Sequence, residues 1–131
     1  MPETSKLEQG RAIRRKLMGD AYADRTDKTV YANDVMRKFA EYTCEAVFGG
    51  LWARPGLDLK TRTLICVISD AATGRAPELA IHVRMALRQG WTEDELTEAL
   101  LHLGGYVGVP LAREALLTAT EVFNEMRAER T

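Results

Sequence analysis

The stretch that decides the fold runs from Gly74 to Pro110 and reads GRAPELAIHVRMALRQGWTEDELTEALLHLGGYVGVP. Its apolar residues recur at the three- and four-residue spacing of an α-helix, and no run alternates as a sheet strand would. Pro77 fits the first turn of a helix, where its missing N–H costs nothing. Gly90 is suited to a helix C-terminus. The pattern predicts a helix over Pro77–Gln89, preceded by a helix that ends at Gly74.

A second helix within this stretch begins with a capping box. Thr92 is followed three residues later by Glu95, so each side chain can accept a hydrogen bond from the backbone N–H of the other residue. We expect this helix to continue to about Tyr106, where the segment GVP at 108–110 breaks the chain. The last helix then runs to about Arg127.

Upstream of this stretch the spacing predicts three more helices. The helix over Lys60–Thr73 is apolar on most sides, so we expect it to be central. A helix over Val30–Phe48 is stopped by the glycines at 49 and 50, and a Pro-Gly turn follows. An amino-terminal helix covers Ser5–Leu17, and the polar stretch Asp20–Lys28 is interpreted as a loop or a linker. Six helices with short connections predict an all-α bundle in one domain, residues 1–131.

The composition is that of a globular protein without a strong charge bias. Of the 131 residues, 46% are apolar and 28% are charged, and the formal net charge is −1. This balance predicts no attraction to nucleic acid or to an anionic membrane surface. No apolar run approaches the roughly 18 residues of a membrane span, and residues 1–20 hold no apolar signal-peptide core. We therefore expect a cytoplasmic protein.

The cysteines and histidines form no metal or redox motif. Cys44 and Cys66 stand alone in apolar helical contexts, which indicates buried thiols rather than a disulfide or a redox pair. His82 and His102 lie far apart in the sequence without a cysteine cluster, a poor basis for a zinc site. Gly-rich phosphate loops and nucleophile elbows are also missing from the sequence. We expect no metal ligands in this chain.

His82 lies one helical turn after Glu78, so both side chains share a face of the predicted helix. A carboxylate beside an imidazole fixes the imidazole tautomer, so the pair is a candidate for proton transfer. The same spacing fits an intrahelical hydrogen bond that only caps the helix. Spacing alone leaves both interpretations open.

His102 has Glu98 one turn before it and Tyr106 one turn after it. Because leucines flank these three residues, we interpret them as a polar stripe that enters an apolar interior. Buried polar groups need partners, so the alternative is a core hydrogen-bond network without a chemical role.

Three arginines are candidates for binding a carboxylate with two parallel hydrogen bonds. Arg25 lies in the irregular polar stretch, Arg54 precedes the Pro-Gly turn, and Arg62 opens an apolar helix. The alternative for each is a solvated surface position. Trp52, near Arg54, is either a pocket wall or a core residue between helices.

Four strings, in order along nearly the whole chain, resemble the carboxymuconolactone decarboxylase family and its small γ-decarboxylase branch. They are GDAYADRT at 19–26, LWARPGLDLKTRTL at 51–64, PELAIHVRMAL at 77–87 and LLHLGGYVGVPLA at 100–112. The resemblance implies an all-α fold of the alkylhydroperoxidase D-like type and a homo-oligomer, commonly a hexamer built as a trimer of dimers. It also implies cofactor-free decarboxylation of 4-carboxymuconolactone to 3-oxoadipate enol-lactone in the degradation of aromatic acids such as protocatechuate.

The resemblance further implies roles for the candidate residues. His82 and Glu78 would transfer the proton. His102 or Tyr106 would stabilise charge on the lactone oxygen, and arginines would bind the substrate carboxylates.

Two alternatives to this activity stay open. One is a family member that acts on another small anionic lactone or keto acid. The other is a thiol peroxidase-like or non-catalytic oligomeric relative. The family's thiol peroxidases carry a Cys-x-x-Cys motif before the histidine, whereas this chain has no cysteine just before His82. Without a thiolate to attack a peroxide or a second thiol to resolve it, the decarboxylase is favoured.

Overall fold

The structure is a computed structural model and describes residues 5–130. Over this range it has no β-strand, so the predicted all-α class is confirmed. Instead of the six predicted helices, the described residues form seven α-helices and one π-helix. In chain order they are α1 Lys6–Met18, α2 Asp20–Lys28, α3 Asp34–Thr43, the π-helix Cys44–Trp52, α4 Leu59–Ala72, α5 Ala76–Arg88, α6 Glu93–Val107 and α7 Val109–Glu129.

The helices divide into two compact units. Unit 1 ends at Asp58 and contains α1, α2, α3 and the π-helix, and unit 2 begins at Leu59 and contains α4 to α7. The assignment of residues 1–131 to one domain stays a prediction. None of the helices in the described part of the chain is long and apolar enough to cross a membrane.

The segment Asp20–Lys28, predicted as a loop, is helix α2, so that prediction is wrong. Helix α2 contacts α1 through charged side chains and one small apolar residue. The guanidinium of Arg15 on α1 forms ion pairs with Asp20 and Asp24. Ala23 is fully buried, which gives this polar helix one apolar contact side. The acidic first turn and basic last turn also match the helix dipole.

The helix predicted over Val30–Phe48 begins later and changes type along its length. Asn33 caps α3, because its side-chain oxygen accepts a hydrogen bond from the Met36 N–H at 2.9 Å. The first predicted residues therefore lie outside the helix. After α3 the backbone continues directly into the π-helix.

The glycines at 49 and 50, predicted to stop this helix, lie inside the π-helix. Gly49 is buried, and a Cβ on it would lie 2.1 Å from the backbone oxygen of Lys6. A Cβ on Gly10 would lie 1.6 Å from the backbone oxygen of Cys44. No side chain fits at either position, so only glycine lets α1 approach the π-helix this closely. Gly49 is a packing residue rather than a helix stop.

The four helices of unit 2 share one apolar core. Val67 of α4, Val83 of α5, Leu100 of α6 and Ala119 of α7 are all buried in it. Helix α4 contacts each of the other three helices, as its apolar sequence predicts. Ile65, on another side of α4, is 53% exposed, so the helix is not buried around its whole circumference.

The helix ends predicted at Pro77, Gly90 and Thr92 are confirmed by their local geometry. The Thr92 hydroxyl accepts a hydrogen bond from the Glu95 N–H at 3.0 Å, and the Glu95 carboxylate accepts one from the Thr92 N–H at 3.0 Å. Pro77 lies in the first turn of α5. Gly90 follows α5 with a φ of 104°, a conformation that favours glycine.

A buried arginine joins α5 to α7. The guanidinium of Arg84 donates hydrogen bonds to both carboxylate oxygens of Glu129, at 2.9 and 3.0 Å. The Arg84 side chain is only 7% exposed. A buried charge needs this kind of pairing, and the pair fixes α5 against α7.

Candidate active site

Asp70 on α4 and His82 on α5 contact each other inside unit 2. The Oδ2 atom of Asp70 forms a hydrogen bond with Nδ1 of His82. The Asp70 side chain is 6% exposed and the His82 side chain is 20% exposed. A carboxylate at Nδ1 holds the proton of a neutral imidazole on that nitrogen, which leaves Nε2 to exchange a proton with a ligand. The pair is therefore an oriented acid–base group that is mostly shielded from water.

The carboxylate partner of His82 differs from the predicted one. Glu78, one turn before His82, is exposed. Among the described residues, the carboxylate that the structure places on the imidazole belongs to Asp70, 12 residues away in the sequence. Packing of α4 against α5 determines this contact, and helical spacing within α5 does not.

The position of Asp70 follows from the buried face of α4. Asp70 lies three residues after Val67 and next to Ala71, and all three are buried. The turn after α4 then brings the chain back, with Gly74 at a φ of 69°. The backbone N–H of Arg75 donates to the Asp70 carbonyl at 3.0 Å, which closes the turn before α5.

Arg75 places a cation beside the same carboxylate. Its Nη2 atom lies 3.7 Å from Oδ1 of Asp70, the oxygen that does not contact His82. Its Nε atom donates to the Thr73 hydroxyl at 2.9 Å, and Nη2 lies 3.5 Å from the Ser69 hydroxyl. Asp70 and Arg75 line a cavity of about 10 Å³, which has room for roughly one water molecule.

The second predicted cluster, on α6, is not buried. Glu98 and His102 are exposed, and Tyr106 is 81% exposed. The rings of His102 and Tyr106 pack on each other with centroids 5.3 Å apart. The prediction of a polar stripe entering the interior is wrong, because Leu96 and Leu100 form the buried face of α6.

The three candidate arginines are distributed over both units. Arg25 is exposed on α2, with its guanidinium 5.1 Å from the centre of the Tyr22 ring. Arg54 is exposed in the segment after the π-helix. Arg62 is half-buried on α4, the helix that carries Asp70. Arg62 is thus the candidate arginine that shares a unit with His82.

Trp52 is a core residue of unit 1. It is 5% exposed at the end of the π-helix, and its ring centroid lies 5.9 Å from that of Phe48. Of the two interpretations of Trp52, the structure favours the core residue over the pocket wall.

The two cysteines are poor nucleophiles in this structure. Burial raises the pKa of the Cys66 thiol to about 11, and the nearby negative charge of Asp70 adds to the shift. Burial also raises the pKa of the Cys44 thiol, against the opposing effect of nearby arginines. A thiol of raised pKa is mostly protonated at neutral pH and unreactive. These settings disfavour the thiol peroxidase alternative.

Sequence reasoning missed Asp70 and Arg75. The signal for Asp70 was its position near the end of the apolar run LICVIS, since a carboxylate on a buried helix face requires a partner. For Arg75 the signal was weaker, a basic residue between a helix-ending glycine and a helix-starting proline. Among residues 5–130, no three His, Cys, Asp or Glu side chains are arranged to hold a metal ion.

The chain matches the carboxymuconolactone decarboxylase family over residues 37–121. It is 32% identical over 126 residues to a 4-carboxymuconolactone decarboxylase of Acinetobacter baylyi, and the match covers 96% of this chain and 92% of that protein. It is also 32% identical over 120 residues to a nitrosuccinic acid decarboxylase of Metarhizium robertsii, covering 92% of this chain and 82% of that protein. The family match and the alignments with both relatives include the segment that carries Asp70 and His82. The chain belongs to the carboxymuconolactone decarboxylase family.

Proposed function

We propose that this chain is a decarboxylase that converts 4-carboxymuconolactone to 3-oxoadipate enol-lactone, without metal or organic cofactor, during aromatic-acid degradation. The similarity to the Acinetobacter baylyi enzyme over 96% of the chain supports a decarboxylase. The structural observation that carries the proposal is the Asp70–His82 pair, with a mostly buried carboxylate at Nδ1 of the imidazole.

The reaction requires little from the protein beyond placement and one proton. In 4-carboxymuconolactone the departing carboxylate lies γ to the lactone carbonyl across a ring double bond. The bond between the ring carbon and the carboxylate breaks and CO2 leaves. The electron pair of that bond moves into the ring to form a dienolate. Protonation of that dienolate gives the enol-lactone. Removing water from the carboxylate favours its loss as neutral CO2.

His82 is the proton donor in this scheme. Asp70 accepts the Nδ1–H hydrogen bond, so the Nε2–H of the imidazolium points away from the carboxylate and can be delivered to the dienolate. After the reaction the neutral imidazole keeps its proton at Nδ1 and regains one at Nε2 from solvent. Glu78, exposed one turn earlier, is proposed as a group that relays that proton from solvent.

The remaining candidate residues from the sequence are proposed to bind or stabilise the substrate and not to transfer a proton. His102 or Tyr106 would donate a hydrogen bond to the lactone oxygen as it gains charge. Arg25, Arg54 and Arg62 would bind substrate carboxylates. Trp52, from the core of unit 1, would support the backbone next to Arg54. We also propose a homo-oligomer, a hexamer arranged as a trimer of dimers. In such an assembly a second subunit could cover the His102–Tyr106 ring pair, which is exposed in the single chain.

A second candidate substrate is nitrosuccinic acid, favoured by the relative of that name. Loss of a carboxylate from the carbon that bears a nitro group moves the electron pair onto the nitro oxygens as a nitronate. That anion then takes a proton on carbon, the same step that the enol-lactone route asks of His82. Both substrates are small anions, so the same pair of side chains serves either reaction.

The test is a direct assay of both substrates. The purified chain is mixed with enzymatically prepared 4-carboxymuconolactone and, separately, with nitrosuccinate, and CO2 release and ultraviolet absorbance are followed. We expect turnover of the lactone at a higher kcat/KM than nitrosuccinate. If only nitrosuccinate is turned over, it takes the place of the lactone as the proposed substrate. If neither compound is turned over, the proposal is overturned.

A further inference from the structure

We propose that Arg75 binds a carboxylate of the substrate beside the Asp70–His82 pair. This inference rests on the proposed function for the identity of the substrate, a small anion with more than one acidic group. The Arg75 guanidinium is held in place by its neighbours and remains 55% exposed.

The neighbours of Arg75 orient the guanidinium without saturating it. Two of its contacts are to neutral hydroxyl groups, at 2.9 Å to Thr73 and 3.5 Å to Ser69. Its ion pair with Asp70 has a separation of 3.7 Å, longer than a hydrogen bond. Within residues 5–130 the structure records no hydrogen bond at its Nη1 atom, which carries two N–H groups. Planar guanidinium groups bind carboxylates with two parallel hydrogen bonds from different nitrogens, so a substrate carboxylate would pair with Nη1 and with the second N–H of Nη2.

Asp70 links this guanidinium to the proposed proton donor. One carboxylate oxygen contacts His82 and the other faces Arg75. Because both groups flank a single carboxyl group, a small molecule whose carboxylate binds Arg75 stays close to the imidazole. The ion pair with the mostly buried Asp70 also limits the directions that the Arg75 side chain can take.

The surroundings favour a small acidic head group rather than a large ligand. Beside Arg75 the cavity wall is mainly apolar, with Leu79 and Leu111 among its residues. Its volume of about 10 Å³ accepts little more than one oxygen atom, so the rest of a ligand lies outside the cavity. Glu114 on α7 also lines this cavity, and its negative charge opposes an anion. Removing Arg75 should therefore weaken the binding of an anion, whereas removing the charge of Glu114 should strengthen it.

The experiment compares Arg75→Ala and Glu114→Gln with the matched control Arg88→Ala, which removes an exposed arginine from the last turn of α5. Two quantities are measured on the full chain. One is the Kd of adipate, an unreactive dicarboxylate, by titration calorimetry with the neutral diamide adipamide as a blank. The other is KM and kcat for 4-carboxymuconolactone.

We expect Arg75→Ala to raise both the adipate Kd and KM by about 10- to 100-fold, as for loss of a hydrogen bond to a charged group. The change in kcat should be smaller, because Arg75 binds the substrate and transfers no proton. Glu114→Gln should lower the adipate Kd by about two- to five-fold, the effect of one exposed charge. Arg88→Ala should change neither quantity, and Arg75→Lys should lie between Arg75→Ala and the unaltered chain.

Other outcomes separate the inference about Arg75 from the proposed decarboxylase function. If the lactone is turned over but Arg75→Ala behaves like Arg88→Ala, the inference is overturned and the proposed function stands. If adipate binds through Arg75 but no CO2 is released from the lactone, the proposed function fails and the inference stands. Because Glu114→Gln alters only an exposed side chain, weaker adipate binding by that variant overturns the inference even if Arg75→Ala does not fold.

Discussion

The carboxylate of Asp70 contacts Nδ1 of His82 across the α4–α5 interface, and its other oxygen lies 3.7 Å from the guanidinium of Arg75. One carboxyl group thus orients an imidazole and holds a cation beside it. Both contacts lie within unit 2, next to the turn that joins α4 to α5.

This relationship predicts a large kinetic effect at His82. His82→Ala removes the proposed proton donor, and general acid catalysis of this kind is worth on the order of 10² to 10⁴ in rate. We expect kcat to fall by that order, and because protonation then becomes the slow step, the reaction should slow further in heavy water. Steady-state assays in water and heavy water measure both. Unchanged turnover and isotope effect would make the pair structural, and Tyr106 would be the next candidate for the acid.

The carboxylate partner can be identified by comparing two variants on adjacent helices. Asp70→Asn removes the charge that orients the imidazole, so we expect a fall in kcat of about tenfold or more. Glu78→Gln alters an exposed group and leaves the Asp70–His82 hydrogen bond in place, so it should have a smaller effect. Thermal unfolding of each variant shows whether the fold is retained. A larger effect at Glu78 than at Asp70 would restore the partner that helical spacing predicts.

Cysteine chemistry should be dispensable. Burial raises the pKa of Cys66 to about 11, so its thiolate fraction at pH 7 is very small and increases about tenfold per pH unit towards that value. Alkylation by iodoacetamide should be slow at neutral pH and should accelerate as the pH rises. A double variant with alanine at 44 and 66 should keep nearly all turnover if it folds. Rapid alkylation at pH 7 with loss of activity would revive the thiol alternative.

Assembly of several chains is expected in solution. Light scattering should give a mass several times the 14.6 kDa of one chain, and a hexamer is the proposed state. The exposed apolar and aromatic groups on α6 and α7, such as Tyr106 and Val109, are consistent with surfaces that become covered. A monomer at micromolar concentration would contradict the proposal.

Stability should depend strongly on Gly49 and very little on its neighbour. A Cβ at 49 would meet the Lys6 carbonyl at 2.1 Å, whereas a Cβ at 50 would have its nearest atom, the Glu45 carbonyl oxygen, at 3.5 Å. Gly49→Ala must therefore displace α1, and overpacking of this kind costs about 1–3 kcal/mol or more. Gly50→Ala should be neutral or slightly stabilising, because alanine is a better helix former. Thermal melts of the two variants make a matched comparison, and equal melting temperatures would refute the close approach.

Local signals in the sequence predicted the fold best where a single turn determines the structure. The Thr92–Glu95 capping box, Pro77 and Gly90 each act within a few residues, and all three lie where they were expected. Helix α2 could not be predicted in this way, because its contacts, the burial of Ala23 and the ion pairs with Arg15 of α1, are made with residues outside the segment.

The candidate site shows the same limit. The spacing of Glu78 and His82 within α5 indicated a pair, but the contacting carboxylate comes from Asp70 on α4. Which face of α4 meets α5 depends on core packing, and no periodicity within either helix specifies it. His102 and Tyr106 were expected inside because leucines flank them, yet Leu100 is buried while Leu101 and both rings are exposed.

The π-helix has a further consequence for changes in chain length. Cys44 and Gly49 lie five residues apart, the hydrogen-bond spacing of a π-helix. Both meet Gly10, since a Cβ on Gly10 would lie 1.6 Å from the Cys44 oxygen and 2.9 Å from the Gly49 nitrogen. Hydrogen bonds in an α-helix join residues four apart, so in an α-helix Gly49 would pair with the exposed Glu45 instead of Cys44. Deleting one residue between 45 and 49 would therefore turn a different set of side chains towards α1. The packing of unit 1 therefore depends on the number of residues in this segment as well as on the absence of a side chain at Gly49.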